Sequence, residues 1–330
     1  MSAKTEDNRP SSSEVKKAKE VVSNIRNEMS KSLIGQKEIV DGLIMALLCD
    51  GHVLIEGVPG IAKTLAVRSL AKISGASVER IQFTVDLLPT DIVGITAYTP
   101  GKGFRIEKGP VFTNFIIADE INRSPPKTQS ALIEAMQEKQ VTIGKKTFEL
   151  TPPFFVMATQ NPIEQSGVYP LPEAQIDRFL FKLIMEYPER EEEDKIMENN
   201  MTLMDFDSMN LRSVTTPHEL IRLQKLTKKV YLAPKVKRYI LDIIEKTRIK
   251  DFKYGELIEW GCSPRASISL YIAAKAHALM DGRNFAVPQD VRKVALPVLR
   301  HRMILSYKAA AEKISADTII KHILDREVSA

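Results

Sequence analysis

Glu56-Gly57-Val58-Pro59-Gly60-Ile61-Ala62-Lys63-Thr64 lies between two stretches of different period. Before it, His52-Val53-Leu54-Ile55 is a short apolar run of β type. After it, Leu65 to Ile73 places apolar residues at helical spacing. The stretch is therefore a strand-to-helix turn built on glycine and proline. Its spacing, Gly57 through Lys63-Thr64, fits the phosphate-loop pattern G-x-x-x-x-G-K-[ST]. One position departs: Ala62 stands where the second glycine usually sits.

These residue types suit a polyphosphate. Backbone N–H groups at a helix N-terminus are a ready partner for an anion. Glycine lets the backbone curl around phosphate without a Cβ in the way. Lys63 would meet the β- and γ-phosphates as a point charge, and Thr64 would offer a hydroxyl to Mg²⁺. Such a cradle runs from Gly57 to Leu65, and its alanine implies that position 62 keeps a negative φ.

A second constellation lies downstream. Phe112 to Ala118 is a nearly continuous apolar run, the mark of a strand buried on both faces, and it ends in Asp119-Glu120. In an open α/β sheet, ligands bind at the carboxyl ends of strands. One carboxylate there can hold Mg²⁺, and its neighbour can take a proton from an attacking water.

Bulk composition frames these motifs. With 330 residues, the chain has room for two domains. It is 44% hydrophobic and 27% charged, as expected for a globular protein with substantial cores. The apolar runs are too short for a membrane span, and Met1 to Ser13 lacks the apolar core of a signal peptide. Cys49 and Cys262 fit no metal spacing and read as buried thiols in a reducing compartment, so the expected location is the cytoplasm. The net charge of +5 permits an acidic partner without demanding one. No ligand spacing links the histidines, His52 and His301 among them.

Met1 to Ser13 reads as a disordered tail, Glu14 to Met29 as an amphipathic helix, and Glu38 to Leu48 as a more apolar one. Ser77 to Phe83 reads as a strand. Asp86 to Arg105 reads as an irregular insertion: a short helix, then a hairpin about Pro100-Gly101-Lys102-Gly103. Pro125-Pro126 opens a helix running to Glu138. Gln140 to Leu150 is a hairpin turning at Gly144-Lys145. Phe154 to Ala158 and Phe179 to Ile184 complete the core strands, with Pro172 to Asp177 a short helix between them.

After Pro188 the periods are helical: Glu191 to Met204, Pro217 to Thr227, Pro234 to Thr247, Pro264 to Met280, Pro288 to Ser306 and Ala316 to Leu324. The expected division is therefore a tail at 1–13, an α/β core at 14–188 and an all-α domain at 189–330.

The order of these motifs resembles an AAA+ ATPase. Ile121 to Glu138 (INRSPPKTQSALIEAMQE), Ala158 to Pro162 (ATQNP) and Leu171 to Phe179 (LPEAQIDRF) resemble its MoxR branch, in which alanine at position 62 is usual. The resemblance implies a P-loop core with a parallel five-stranded sheet and an all-α lid. It implies ATP and Mg²⁺ as cofactors, with Thr64 and Asp119 at the metal and Glu120 as catalytic base. Asn161 matches the first sensor, Arg178 the arginine finger and Arg265 the second sensor. Ile34 and Gly35 would lie near the adenine.

Arg123 could touch the subunit interface or form a surface ion pair. Lys145 and Lys146 fit either a pore-facing hairpin or an ordinary solvated tip. The implied activity is ATP hydrolysis that remodels or matures a client protein in a hexameric ring. A partner with a von Willebrand factor A domain often accompanies this role. A DNA-acting motor of the same superfamily is the alternative, but the basic residues are not clustered and no nucleic-acid motif stands out.

Overall fold

The computed structural model describes residues 9–58, 63–101, 103–161, 167–199 and 206–329. Four loop residues, Pro59 to Ala62, and Lys102 at the first hairpin tip lie outside this set. The chain divides into two compact units. One comprises residues 23–179 and 183–221; the other comprises the N-terminal residues to Val22, 180–182 and 222–330.

A five-stranded sheet forms from β1 (Val53–Gly57), β2 (Val78–Gln82), β3 (Phe115–Asp119), β4 (Phe155–Gln160) and β5 (Phe181–Met185), in the order β2-β3-β4-β1-β5. The pairings β2–β3, β3–β4 and β1–β4 are all parallel. Phe115, Ile116, Ile117 and Ala118 of β3 are fully buried, as a strand covered on both faces requires. Each large side chain of this kind contributes about 1.5–3 kcal/mol by leaving water. β1 passes to β2 at the sheet edge, and β3 and β4 then return toward β1. That reversal opens a crevice at the carboxyl ends of the strands.

Three helices lead into this sheet: α1 (Ser12–Met29), α2 (Lys37–Leu48) and α3 (Lys63–Ile73), the last following β1 through the glycine-rich turn. Nine of the twelve residues of α2 are buried, which explains its nearly continuous apolar run. α4 (Pro126–Glu138) follows β3 and buries Leu132, Ile133, Ala135 and Met136. The insertion forms a helical turn, Pro89–Val93, and an antiparallel hairpin, Gly94–Thr99 with Gly103–Lys108. A second hairpin pairs Gln140–Ile143 with Lys146–Glu149.

The second unit is mainly helical, with Pro264–Met280 and Pro288–Leu299 among its longer helices. Buried Asp290 accepts hydrogen bonds from Arg283 and is paired with His277 Nδ1 at 2.7 Å.

Several boundaries differ from the sequence reading. α1 begins at Ser12, and Pro10 is buried, its carbonyl accepting from the Asn284 side chain at 3.0 Å. Residues 10–13 of the expected tail are therefore folded. The helix expected over Pro288 to Ser306 ends at Leu299, because Ile304-Leu305 pairs with Ile258–Trp260 instead. Tyr231-Leu232 pairs likewise with Phe285-Ala286. The helical region thus carries two small ladders whose strands are too short to show a period. Residues past Pro188 also fold with the α/β unit: Val214 N–H donates to Ile73 O at 2.9 Å, and Arg212 N–H donates to Glu28 at 2.8 Å.

Both cysteines are buried, and burial raises the Cys49 thiol far above its ordinary range. Among the described residues, no helix is long and apolar enough to cross a membrane.

Candidate functional site

The carboxyl ends of β1 and β3 bring the two sequence constellations together. Lys63 opens α3, and its Nζ donates to Gly57 O at 2.7 Å and to Gln160 O at 3.5 Å. It therefore bridges the ends of β1 and β4. Thr64 Oγ1 stands 3.5 Å from Asp119 Oδ2. The hydroxyl following the glycine-rich turn and the last carboxylate of β3 thus point at one locus.

Asp119 is held from several sides. Thr159 Oγ1 donates to Asp119 Oδ1 at 2.7 Å and accepts from the Glu120 N–H at 2.8 Å. Arg80 donates to Asp119 Oδ2 from Nε at 3.2 Å and from Nη2 at 2.7 Å. Burial pushes the Asp119 carboxyl up, but the Thr159 and Arg80 hydrogen bonds and the Arg80 and Lys63 charges outweigh it and hold the group below its ordinary value.

Glu120 turns away from β3 with φ +56° and ψ +51°, left-handed backbone that a residue with a Cβ rarely adopts. The bend sends its side chain toward Gln82, whose Nε2 donates to Glu120 Oε2 at 2.8 Å. Arg123 Nε lies 3.2 Å from the same oxygen, so it meets the acidic pair directly.

Asn161 follows β4 and is buried. Arg178 is half-buried, and its Nε has no hydrogen-bond partner among the described residues. Arg265 lies in the helical unit, in the exposed first turn of Pro264–Met280, where its N–H donates to Ser263 Oγ at 3.2 Å. Gly35 takes φ +76° in the turn after Ile34, and the Gln36 side chain donates to Glu186 O at 3.3 Å. Beside that carbonyl, a hollow of about 470 Å³ is lined by Glu56, Gly57, Val58, Met185, Glu186 and Tyr187. It opens directly onto the first described residues of the glycine-rich turn.

Sequence reading missed Arg80 and Gln82. They sit two apart on β2 and so share one face of the sheet, with Gln82 opposite Asp119 in the β2–β3 register. The available signal was two long polar side chains at period two, on a strand destined to lie beside the acidic one. Also missed were Tyr98 and Phe104, exposed aromatics paired across the insertion hairpin with ring centroids 5.2 Å apart.

Comparison with known proteins agrees with this arrangement. Residues 52–181 match the family described as ATPase family associated with various cellular activities (AAA), and residues 255–323 match the AAA lid domain. Chaperone MoxR1 of Mycobacterium tuberculosis is 45% identical over 304 residues, covering 90% of this chain and 79% of that protein. The uncharacterised protein YeaC of Bacillus subtilis is 44% identical over 297 residues, covering 90% and 91% respectively. A solved structure from Cytophaga hutchinsonii, described as a candidate ATPase, matches with TM-score 0.88 and 43% identity over 96% of each chain.

Proposed function

We propose that this chain, which belongs to the MoxR-type family of AAA+ ATPases, hydrolyses ATP and uses the cycle to remodel a client protein. The observation that carries the reading is the 3.5 Å approach of Thr64 Oγ1 to Asp119 Oδ2 at the carboxyl ends of the sheet. A hydroxyl and a carboxylate aimed at one point are hard oxygen donors, suited to Mg²⁺ beside a polyphosphate. Arg80 against Asp119 Oδ2 marks the same point as favourable for positive charge. Bound there, Mg²⁺ would neutralise charge on the β- and γ-phosphate oxygens.

The chain's own groups supply the remainder. The stretch from Gly57 through Leu65 would hold the phosphates, with the N–H groups that open α3 and the Lys63 ammonium as their partners. The hollow beside Val58 and Tyr187 would take the adenine, with Ile34 and Gly35 near it. Glu120, bent out of β3, accepts the proton of the attacking water, and Asn161 orients that water. Arg178 acts on the nucleotide of a neighbouring subunit in a ring, taken as a hexamer, and Arg265 couples lid position to nucleotide state. The functional parts in this scheme are the α/β unit, 23–179 with 183–221, and the helical unit that contains the lid match at 255–323, with the cytoplasm as the location.

The exposed Tyr98-Phe104 pair and the Lys145-Lys146 tip are the surfaces proposed to engage the client. A partner carrying a von Willebrand factor A domain would fit that role. Turnover of ATP by the purified chain, with and without duplex DNA, tests the reading. Lys63→Ala should abolish nucleotide binding, and DNA should leave turnover unchanged. Stimulation by DNA that falls steeply with salt would favour a nucleic-acid motor instead.

A further inference from the structure

Arg80 and Gln82 link the two carboxylates of the site. Arg80 places Nε and Nη2 on Asp119 Oδ2, and the same Nη2 donates to Gln82 Oε1 at 2.5 Å. Gln82 Nε2 in turn donates to Glu120 Oε2 at 2.8 Å. The chain Asp119–Arg80–Gln82–Glu120 therefore runs from the proposed metal ligand to the proposed general base. Every contact has donor and acceptor correctly matched.

Asp119 Oδ1 is already engaged by Thr159, so Oδ2 is the oxygen nearest Thr64 that can accept a cation. Arg80 takes that oxygen. Its guanidinium is permanently charged and about half exposed, on an edge strand, so it can leave without disturbing the core.

Resting on the nucleotide reading above, we propose that Arg80 is a tethered internal competitor for the divalent cation at Asp119. Arg80 is thus a positioning residue: it sets the cation concentration at which the locus beside Asp119 fills. Gln82 Oε1 accepts from the same Nη2 and so braces the guanidinium where it meets Asp119.

The test reads binding, not turnover. Affinity for a fluorescent ADP is measured across a Mg²⁺ titration, and the midpoint is the Mg²⁺ concentration giving half of the metal-dependent change in affinity. Arg80→Met should lower that midpoint on the order of three- to tenfold, the scale of losing a half-exposed charge-assisted contact. Arg80→Lys keeps a cation with fewer donors and should fall between wild type and Arg80→Met. It also serves as the working variant if Arg80→Met loses its cooperative thermal transition.

Gln82→Leu removes the brace on Arg80 and should lower the midpoint by a smaller factor. A midpoint unmoved or raised in the Arg80 variants overturns the competition. An unmoved midpoint in Gln82→Leu alone overturns the brace by Gln82 on Arg80. If the wild-type chain binds no ADP at any Mg²⁺ concentration, the nucleotide reading itself falls. Normal binding with an unmoved midpoint removes only the present inference.

Discussion

The Thr159 hydroxyl donates a 2.7 Å hydrogen bond to Asp119 Oδ1 from the neighbouring strand. Thr159 Oγ1 itself accepts the Glu120 N–H, so one side chain fixes both the acidic pair and the bend that follows it. Thr159→Val keeps the shape and removes both bonds. It should destabilise the α/β unit by about 1–3 kcal/mol, the usual cost of orphaned buried polar groups. Urea unfolding measures this, and Thr159→Ser should recover most of the loss. Full stability in the valine variant would mean that Thr159 is not the brace.

Glu120→Gln should retain ATP affinity while turnover falls by about 10²–10⁴, the usual share of a positioned general base. The left-handed backbone is kept because glutamine has the same branching at Cβ. Equilibrium ATP binding and phosphate release together check the result. Unchanged turnover would remove Glu120 from the role of base.

Arg178 has a buried, unpartnered Nε among the described residues, and the ring reading sends its guanidinium to an adjacent subunit. Mixing Lys63→Ala chains with Arg178→Ala chains should restore part of the ATPase activity, since one junction in the mixture can have both groups intact. Activity that never exceeds either variant alone counts against a shared site.

His52 sets an acid limit on stability. Its Nδ1 accepts from Val156 N–H at 3.1 Å, while Nε2 lies 3.1 Å from Met136 O, which fixes the proton on Nε2. Burial is the main cause that lowers its pKa to about 4 from the ordinary 6.5, against a weaker upward pull from the Met136 bond. The folded value is the lower one, so the contribution is complete above about pH 6.5 and is lost as pH falls toward 4. It amounts to roughly 3 kcal/mol. Proton NMR titration of the His52 ring should give a midpoint near 4, with the urea midpoint falling over the same window. A ring titrating near 6.5 would contradict this.

Much of the α/β unit was legible because its signals are local. A buried strand needs an unbroken apolar run, which Phe115-Ile116-Ile117-Ala118 supplies. A strand-to-helix turn needs small residues, which Gly57 to Thr64 supplies. The ends of the helix at Leu299 and of the expected tail at Ser13 were not legible. Each depends on a partner far along the chain: Ile258–Trp260 for the first and Asn284 for the second.

By itself, then, the sequence determined a glycine-rich stretch ending in Lys63-Thr64 between a strand and a helix, an acidic pair ending an apolar strand, and which strands are deeply buried. Those properties follow from residue type and spacing within a few positions. Only the tertiary structure decided that Arg80 and Gln82 lie against Asp119 and Glu120, and that Thr159 braces the pair. Parallel strands far apart in sequence set those neighbours through their register, and a hydrogen bond across a register has no signature in either strand alone.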